Sequence, residues 1–302
     1  MRTVAVLGPG GVGGFLAAAL ERSGQAVTVI AREETAAAIA REGIRVESVR
    51  LGGFDARPGT SAALREPVDV LLVATKATGL EAALERIEST PTLVVPLLNG
   101  LDHMELLRAR FGSERVAAGT IRIEVDRPQP GRIVHTSPFL RVDLAADDSR
   151  ARSLLEPLAE LLRGAEVPVQ LGDSEAQILW SKLVRLNALA LTTSTSDRPI
   201  GFVRSDPEWR AALEACIGEA AAVANAEGAV SDPATPLGEL LDAHPELGSS
   251  MQRDIAAGRP PELDAIAGSV LRAGARRGIA CPTITRLVAL VAERAGIAPP
   301  QA

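Results

Sequence analysis

A chain of 302 residues suits two domains better than one, since single cores stop growing near ~250–300 residues. Its 38 acidic and 32 basic side chains give a formal net charge of −6, which argues against a nucleic-acid partner, and the absence of tyrosine excludes any mechanism that needs a tyrosine acid. Cys216, Cys281, His103, His135 and His244 lack metal-ligand or disulfide-framework spacing, no charge-free apolar run reaches the ~18–20 residues of a membrane span, and Met1 leads almost at once into a strand, so a soluble, cytoplasmic protein is expected.

Val4–Leu7 is an uninterrupted apolar run, the mark of a strand buried on both faces of a parallel sheet. It leads into Gly8-Pro9-Gly10-Gly11-Val12-Gly13, and a helical pattern follows from Phe15 to Arg22. Gly8, Gly10 and Gly13 have the G-x-G-x-x-G spacing, and a place between strand and helix gives that spacing meaning. Gly8 allows a tight turn, Gly10 a close approach to a pyrophosphate, and Gly13 close packing of helix on strand. Phosphates would meet the N–H groups and positive end of the helix. The run Gly8–Gly13, with Pro9, Gly11 and Val12, is therefore the expected dinucleotide cradle. Val27–Ile30 reads as the second parallel strand. Where an acid would bind a ribose 2′-hydroxyl and select NAD, this chain has Ala31 with Arg32 beside it, which favours the 2′-phosphate of NADPH. The alternative for Arg32 is a surface arginine capping a loop; Glu33 and Glu34 could repel a phosphate, and they also fit the first turn of a helix running to Arg41.

Gly43–Phe54 alternates apolar and polar residues as a strand or hairpin does. Val68–Thr75 and Thr92–Leu98 read as buried strands, ending at Lys76 and at Asn99-Gly100. Ligands in open α/β sheets bind at the carboxyl ends of the strands, so Lys76 and Asn99 hold functional positions by topology. The alternative is a solvated lysine and an ordinary Asn-Gly turn. Val116–Val125, Arg132–Thr136 and Leu140–Leu144 look like strands that extend the sheet in antiparallel fashion. A helix near Ser149–Arg163 and a strand Val167–Leu171 follow, and Asp173 is placed to cap the next helix. Long helices then take over: Ser174–Leu191, Pro207–Glu227, a segment Pro236–Asp242, Glu262–Arg277 and Thr283–Ala295, with Gly228 and Gly278 suited to helix ends. The expected fold class is α/β, a Rossmann-type dinucleotide-binding domain over residues 1–172 followed by an all-helical domain over residues 173–302.

Ile178–Leu191 is apolar almost all round, as a helix central to a domain is. Lys182 and Arg185 are its only charges. Such a lysine either lays its stem on the core with the ammonium in solvent, or points into a cleft where partial burial makes it a usable proton donor.

Taken in order, Gly8–Gly13, Arg32, Lys76, Asn99-Gly100, Trp180-Ser181-Lys182-Leu183, Ser249-Ser250-Met251 with Asp254, and Pro261-Glu262-Leu263-Asp264 resemble the ketopantoate reductase (2-dehydropantoate 2-reductase) family nearly end to end. Ala280-Cys281-Pro282-Thr283 after Arg277-Gly278 also looks like that family's approach to its last helix. The resemblance implies NADPH-dependent reduction of a small-molecule 2-oxo acid to a 2-hydroxy acid between two domains, ketopantoate to pantoate in pantothenate biosynthesis. It implies Lys182 as general acid and Glu262 as the carboxylate that keeps substrate and lysine in register. Asn99, Ser250 and Lys76 match groups that bind substrate, and Lys76, Asn99 and Glu262 also meet the cofactor.

The chain departs from the family at two places. Biosynthetic members usually carry asparagines four and eight residues beyond the helix lysine, where this chain has Leu186 and Ala190. Asn187 is the remaining amide for substrate binding, but it lies about 100° further around the helix. Two amides exchanged for apolar side chains predict a less polar substrate, with Thr192, Thr193 or Arg185 as compensating polar groups. Asp102-His103 also differs from the usual run after Asn99-Gly100. Two other readings stay open: a related reductase of a hydrophobic ketone or imine, and a non-catalytic NADPH sensor, against which the retention of both Lys182 and Glu262 counts. A homodimer is compatible with the sequence.

Overall fold

The computed structural model describes residues 3–301. The chain forms two compact units, one running to Leu98 and resuming at His103–Ile178, the other made of Asn99–Asp102 and the chain from Leu179 onward.

The first unit is built on a five-stranded parallel sheet. Its strands are β1 (Thr3–Leu7), β2 (Ala26–Ile30), β5 (Gly59–Ser61), β6 (Val70–Val73) and β7 (Leu93–Pro96), in the order β5-β2-β1-β6-β7. Helices α1 (Gly11–Arg22) and α2 (Glu33–Glu42) connect the first strands, followed by the hairpin β3 (Ile44–Ser48) and β4 (Gly52–Ala56). From β1 the chain builds outward through β2 to β5, then returns to the other side of β1 with β6. This reversal is a topological switch point, where open α/β sheets bind ligands. The turn after β1 sits there, with Gly8 N donating to Ile30 O at 3.1 Å and Ala74 N donating to Leu7 O at 2.9 Å. Phe15, Leu16 and Leu20 of α1 are fully buried in one core with Val4, Val6, Val29 and Leu72, each large side chain contributing about 1.5–3 kcal/mol.

The later strands form two sheets of their own, which corrects the expected antiparallel extension. Of the predicted strand Val116–Val125 only Ala118–Arg122 forms a strand, β8, while β9 (Val125–Gln129) starts at its last residue and runs on beyond it. Between the two Glu124 N donates to Ser137 Oγ at 2.9 Å and Glu124 O accepts from Thr136 N at 3.0 Å, so the ladder partner changes there. Strands β9 and β10 (Arg132–His135) pair antiparallel, and β10 runs parallel to β3, giving the sheet β4-β3-β10-β9. Strand β11 (Arg141–Ala145) joins β8 and β12 (Val169–Leu171) in a three-stranded sheet. The helix expected over Ser149–Arg163 is two, α5 (Ser149–Ser153) and α6 (Leu155–Gly164). Pro157 has no N–H for the carbonyl of Ser153, and its ring crowds that carbonyl. Short helices α3 (Leu80–Leu84) and α4 (His103–Phe111) complete the unit.

Helix α7 (Glu175–Ser196) leads into the second unit and runs five residues past its expected end without a break. Its cap is Ser174, whose Oγ accepts from Gln177 N at 3.0 Å, not Asp173, because the helix starts one residue later than the capping pattern placed it. The second unit is helical: α8 (Ile200–Ser205), α9 (Pro207–Ala226), α10 (Ala234–Leu241), α11 (Ser250–Ala256), α12 (Ser269–Arg277) and α13 (Pro282–Ala295). The segment expected to be helical from Glu262 contains a π-helical turn at Asp264–Gly268 before α12 begins. Among the described residues no helix is long and apolar enough to cross a membrane.

Candidate active site

In the first unit the three glycines of the motif meet three different constraints. Gly8 has φ +88, and a Cβ there would stand 2.8 Å from Thr75 Cγ2 and 3.1 Å from Thr75 N. A Cβ on Gly13 would stand 2.2 Å from Gly8 O, so α1 lies directly on the turn. At Gly10 a Cβ would make only ordinary contact, with Ala74 O at 3.9 Å, so the protein itself leaves room there for a ligand to approach the backbone. No side chain caps α1, so its first-turn N–H groups can serve an anion. These residues fit the pyrophosphate of a dinucleotide.

Arg32 follows β2 and the buried Ala31, is exposed, and occupies the cap position of α2. Lys76 follows β6, is exposed, and precedes a 3₁₀ turn at Ala77–Gly79. Both lie beyond the carboxyl ends of parallel strands. Thr75 between β6 and Lys76 was hidden in the sequence as the end of an apolar run. Its methyl defines the Gly8 turn, and its hydroxyl is buried without a hydrogen-bond partner among the described residues. A hydroxyl closing a strand beside a lysine is the signal that points to it.

The second unit joins the residues with chemistry. Lys182 on α7 donates from Nζ to Asn99 Oδ1 at 2.9 Å, and Asn99 Nδ2 donates to Glu262 Oε2 at 3.1 Å. All three side chains are half-buried. The continuous helix puts Leu186 and Ala190 on the Lys182 face, Leu186 half-buried and Ala190 buried. Asn187 is fully buried, and neither amide atom has a hydrogen-bond partner among the described residues. Ser250 is the exposed first residue of α11, whose cap is Ser249; Ser249 Oγ accepts from Gln252 N at 3.1 Å. The compensating groups considered from sequence are engaged elsewhere. Arg185 Nε pairs with Glu239 at 3.1 Å, and Thr192 and Thr193 donate back to Ala188 O and Leu189 O at 2.7 Å, a bond that keeps a hydroxyl against its own helix.

Cys216 and Cys281 are buried free thiols. Burial pushes them up to about 12 and about 11, so neither is a nucleophile near neutral pH. Among the described residues no group of three or more His, Cys, Asp or Glu side chains is placed to hold a metal ion.

Residues 4–146 match the family model described as ketopantoate reductase PanE/ApbA, and residues 176–295 match that of its C-terminal part. The chain is 31% identical to a 2-dehydropantoate 2-reductase of Caulobacter vibrioides, covering 96% of this chain and 98% of the relative. Its structure resembles that of 2-dehydropantoate 2-reductase from Geobacter metallireducens GS-15, with TM-score 0.88, 29% identity, and 96% and 99% of the two chains covered. A D-mandelate dehydrogenase solved with NADH and anilino(oxo)acetate shares the fold at TM-score 0.89 and 20% identity, over 98% of this chain and 99% of that one.

Proposed function

Because the chain belongs to the ketopantoate reductase family, whose named members are oxidoreductases acting on a C=O group, we propose that it reduces a 2-oxo acid to the 2-hydroxy acid with NADPH, using Lys182 as general acid. The observation that carries this reading is the run of hydrogen bonds from Lys182 through Asn99 to Glu262. An amide has one accepting and one donating end. Glu262 takes the donating end and so turns the oxygen of Asn99 toward the ammonium. Donating to that oxygen, the ammonium is oriented to give a proton to a carbonyl oxygen as negative charge develops there. When bound, NADPH supplies the hydride to the carbonyl carbon. Gly8–Gly13 would hold its pyrophosphate and Arg32 its 2′-phosphate, with Lys76 at the nicotinamide end.

Substrate choice rests on Leu186 and Ala190. An apolar wall there leaves a substrate hydroxyl unmatched, which favours a less polar 2-oxo acid over ketopantoate. Steady-state NADPH oxidation with ketopantoate, 2-oxoisovalerate, 4-methyl-2-oxopentanoate and phenylglyoxylate tests both statements. The expected result is turnover throughout, with kcat/KM for the best apolar acid at least roughly tenfold above ketopantoate. A preference for ketopantoate would overturn the substrate assignment alone; no turnover of any 2-oxo acid would overturn the function.

The cofactor assignment rests on Arg32, since the buried Ala31 offers a ribose hydroxyl nothing. Arg32→Ala is expected to raise KM for NADPH by roughly tenfold or more, the worth of charge-assisted hydrogen bonds to a phosphate, and to leave NADH almost unaffected. Tighter binding of NADH than NADPH, with Arg32→Ala altering neither, would show the assignment to be wrong.

A further inference from the structure

Two segments carry the run that starts at Lys182: Asn99–Asp102, whose Asn99 meets the lysine, and the stretch from Glu262, which meets Asn99, into the π-helical turn. A third group, outside the hydrogen-bonded run, joins them. Arg272 on α12 places Nη2 at 2.6 Å from Asp102 Oδ2 and Nη1 at 2.7 Å from Asp264 Oδ1. Nη2 also donates to Asp264 O at 3.2 Å, and Nη1 to Gln301 O at 3.1 Å. Asp102 lies three residues after Asn99, and Asp264 two residues after Glu262. Between these ties the two segments meet main chain on main chain. Gly100 has φ +86, and a Cβ on it would stand 2.0 Å from Ala265 O, so no side chain can separate the loop from the turn. The turn itself is π-helical, a rare geometry that is frequent at functional sites.

We propose that Arg272 is a positioning residue, fastening the Asn99–Asp102 loop to the Glu262–Asp264 segment so that Asn99 stays in register between Lys182 and Glu262. The inference rests on reading those three residues as the catalytic site. A guanidinium suits the task, because its planar fork takes two oxygen partners in fixed directions where an ammonium is a point charge. Asp102 is 49% exposed and Asp264 67%, and exposed pairs contribute little to stability. The effect therefore falls on turnover, where a misplacement near 1 Å can cost on the order of a hundredfold.

The test uses the full chain with Arg272→Met, Asp102→Asn, the two together, and Arg272→Lys. NADPH oxidation is followed with the fastest substrate of the panel above. Arg272→Met and Asp102→Asn should each lower kcat roughly tenfold, with KM for NADPH and Tm close to wild type. The double variant should fall no further than Arg272→Met, since Arg272→Met already removes the tie on which Asp102→Asn acts, and Arg272→Lys should recover part of the loss. Wild-type kcat in Arg272→Met and Asp102→Asn, or losses that multiply in the double variant, would overturn the proposal. Should Arg272→Met fail to fold, Asp102→Asn decides alone, since it leaves Arg272 on Asp264. A Lys182→Ala variant run alongside separates the two levels. If it is inactive while the Arg272 and Asp102 variants match wild type, the fastening role is wrong and the catalytic reading stands. If it turns over normally, the catalytic reading is wrong.

Discussion

Lys182→Ala is expected to lower kcat by ~10²–10⁴-fold, the usual worth of a positioned general acid, without weakening NADPH binding or lowering Tm. The fold should tolerate the change. Lys182 sits in an unbroken 22-residue helix, alanine is the best helix former, and the half-buried Asn99 can replace the lost donor with water. What disappears is the proton that neutralises the oxygen as the carbonyl is reduced. Lys182→Arg should not restore the rate. A guanidinium keeps the charge but stays protonated beyond pH 12, so it can attract the developing oxyanion without giving up a proton. Single-turnover NADPH oxidation, with NADPH affinity read by fluorescence titration, checks the expectation. Turnover within threefold of wild type for every 2-oxo acid would remove Lys182 from the chemistry. A joint fall in Tm and NADPH affinity would make it a structural lysine.

Much of this site could be read from the sequence because its physical causes are local. A glycine that must turn, and another that must lie on a carbonyl, leave their mark within the six residues Gly8–Gly13, and both constraints are met in the structure. The parallel sheet was legible for a similar reason, since strands buried on both faces are continuous apolar runs. The small sheets were not. The largely apolar run Val116–Val125 holds β8 and only the first residue of β9, and what ends the β8 pairing is a contact of Glu124 with the hydroxyl of Ser137 thirteen residues away. The pairing of Lys182, Asn99 and Glu262 spans up to 163 residues, so only resemblance to a family could join them. Arg272 left no trace, because its partners Asp102 and Asp264 are 170 and eight residues distant and an arginine near the start of a helix signals nothing. Leu186 and Ala190 were the reverse case. Helical spacing alone put them on the lysine's face, and the unbroken α7 keeps them there.

Gly13→Ala should destabilise the first unit by about 1–3 kcal/mol, the usual cost of overpacking, and abolish dinucleotide binding. A glycine inside a helix is normally a weakness, and alanine in its place would ordinarily gain up to about 1 kcal/mol. Here the new methyl would stand 2.2 Å from Gly8 O and 3.1 Å from Ala74 Cβ. Ordinary contact between carbon and oxygen needs about 1 Å more, and the oxygen has little freedom to retreat, since it accepts from Gly10 N at 2.8 Å. Helix α1 must lift, and with it the N–H groups that would face the pyrophosphate. Gly10→Ala is the matched control. Its φ is −72 and a Cβ meets nothing nearer than 3.9 Å, so Tm should hold while NADPH affinity falls by roughly tenfold or more, because the methyl occupies the approach of the phosphates. Thermal unfolding beside NADPH titration of both variants separates the outcomes. Equal Tm losses would mean that Gly10 is structural too, and unimpaired NADPH binding by Gly10→Ala would remove the phosphates from this turn.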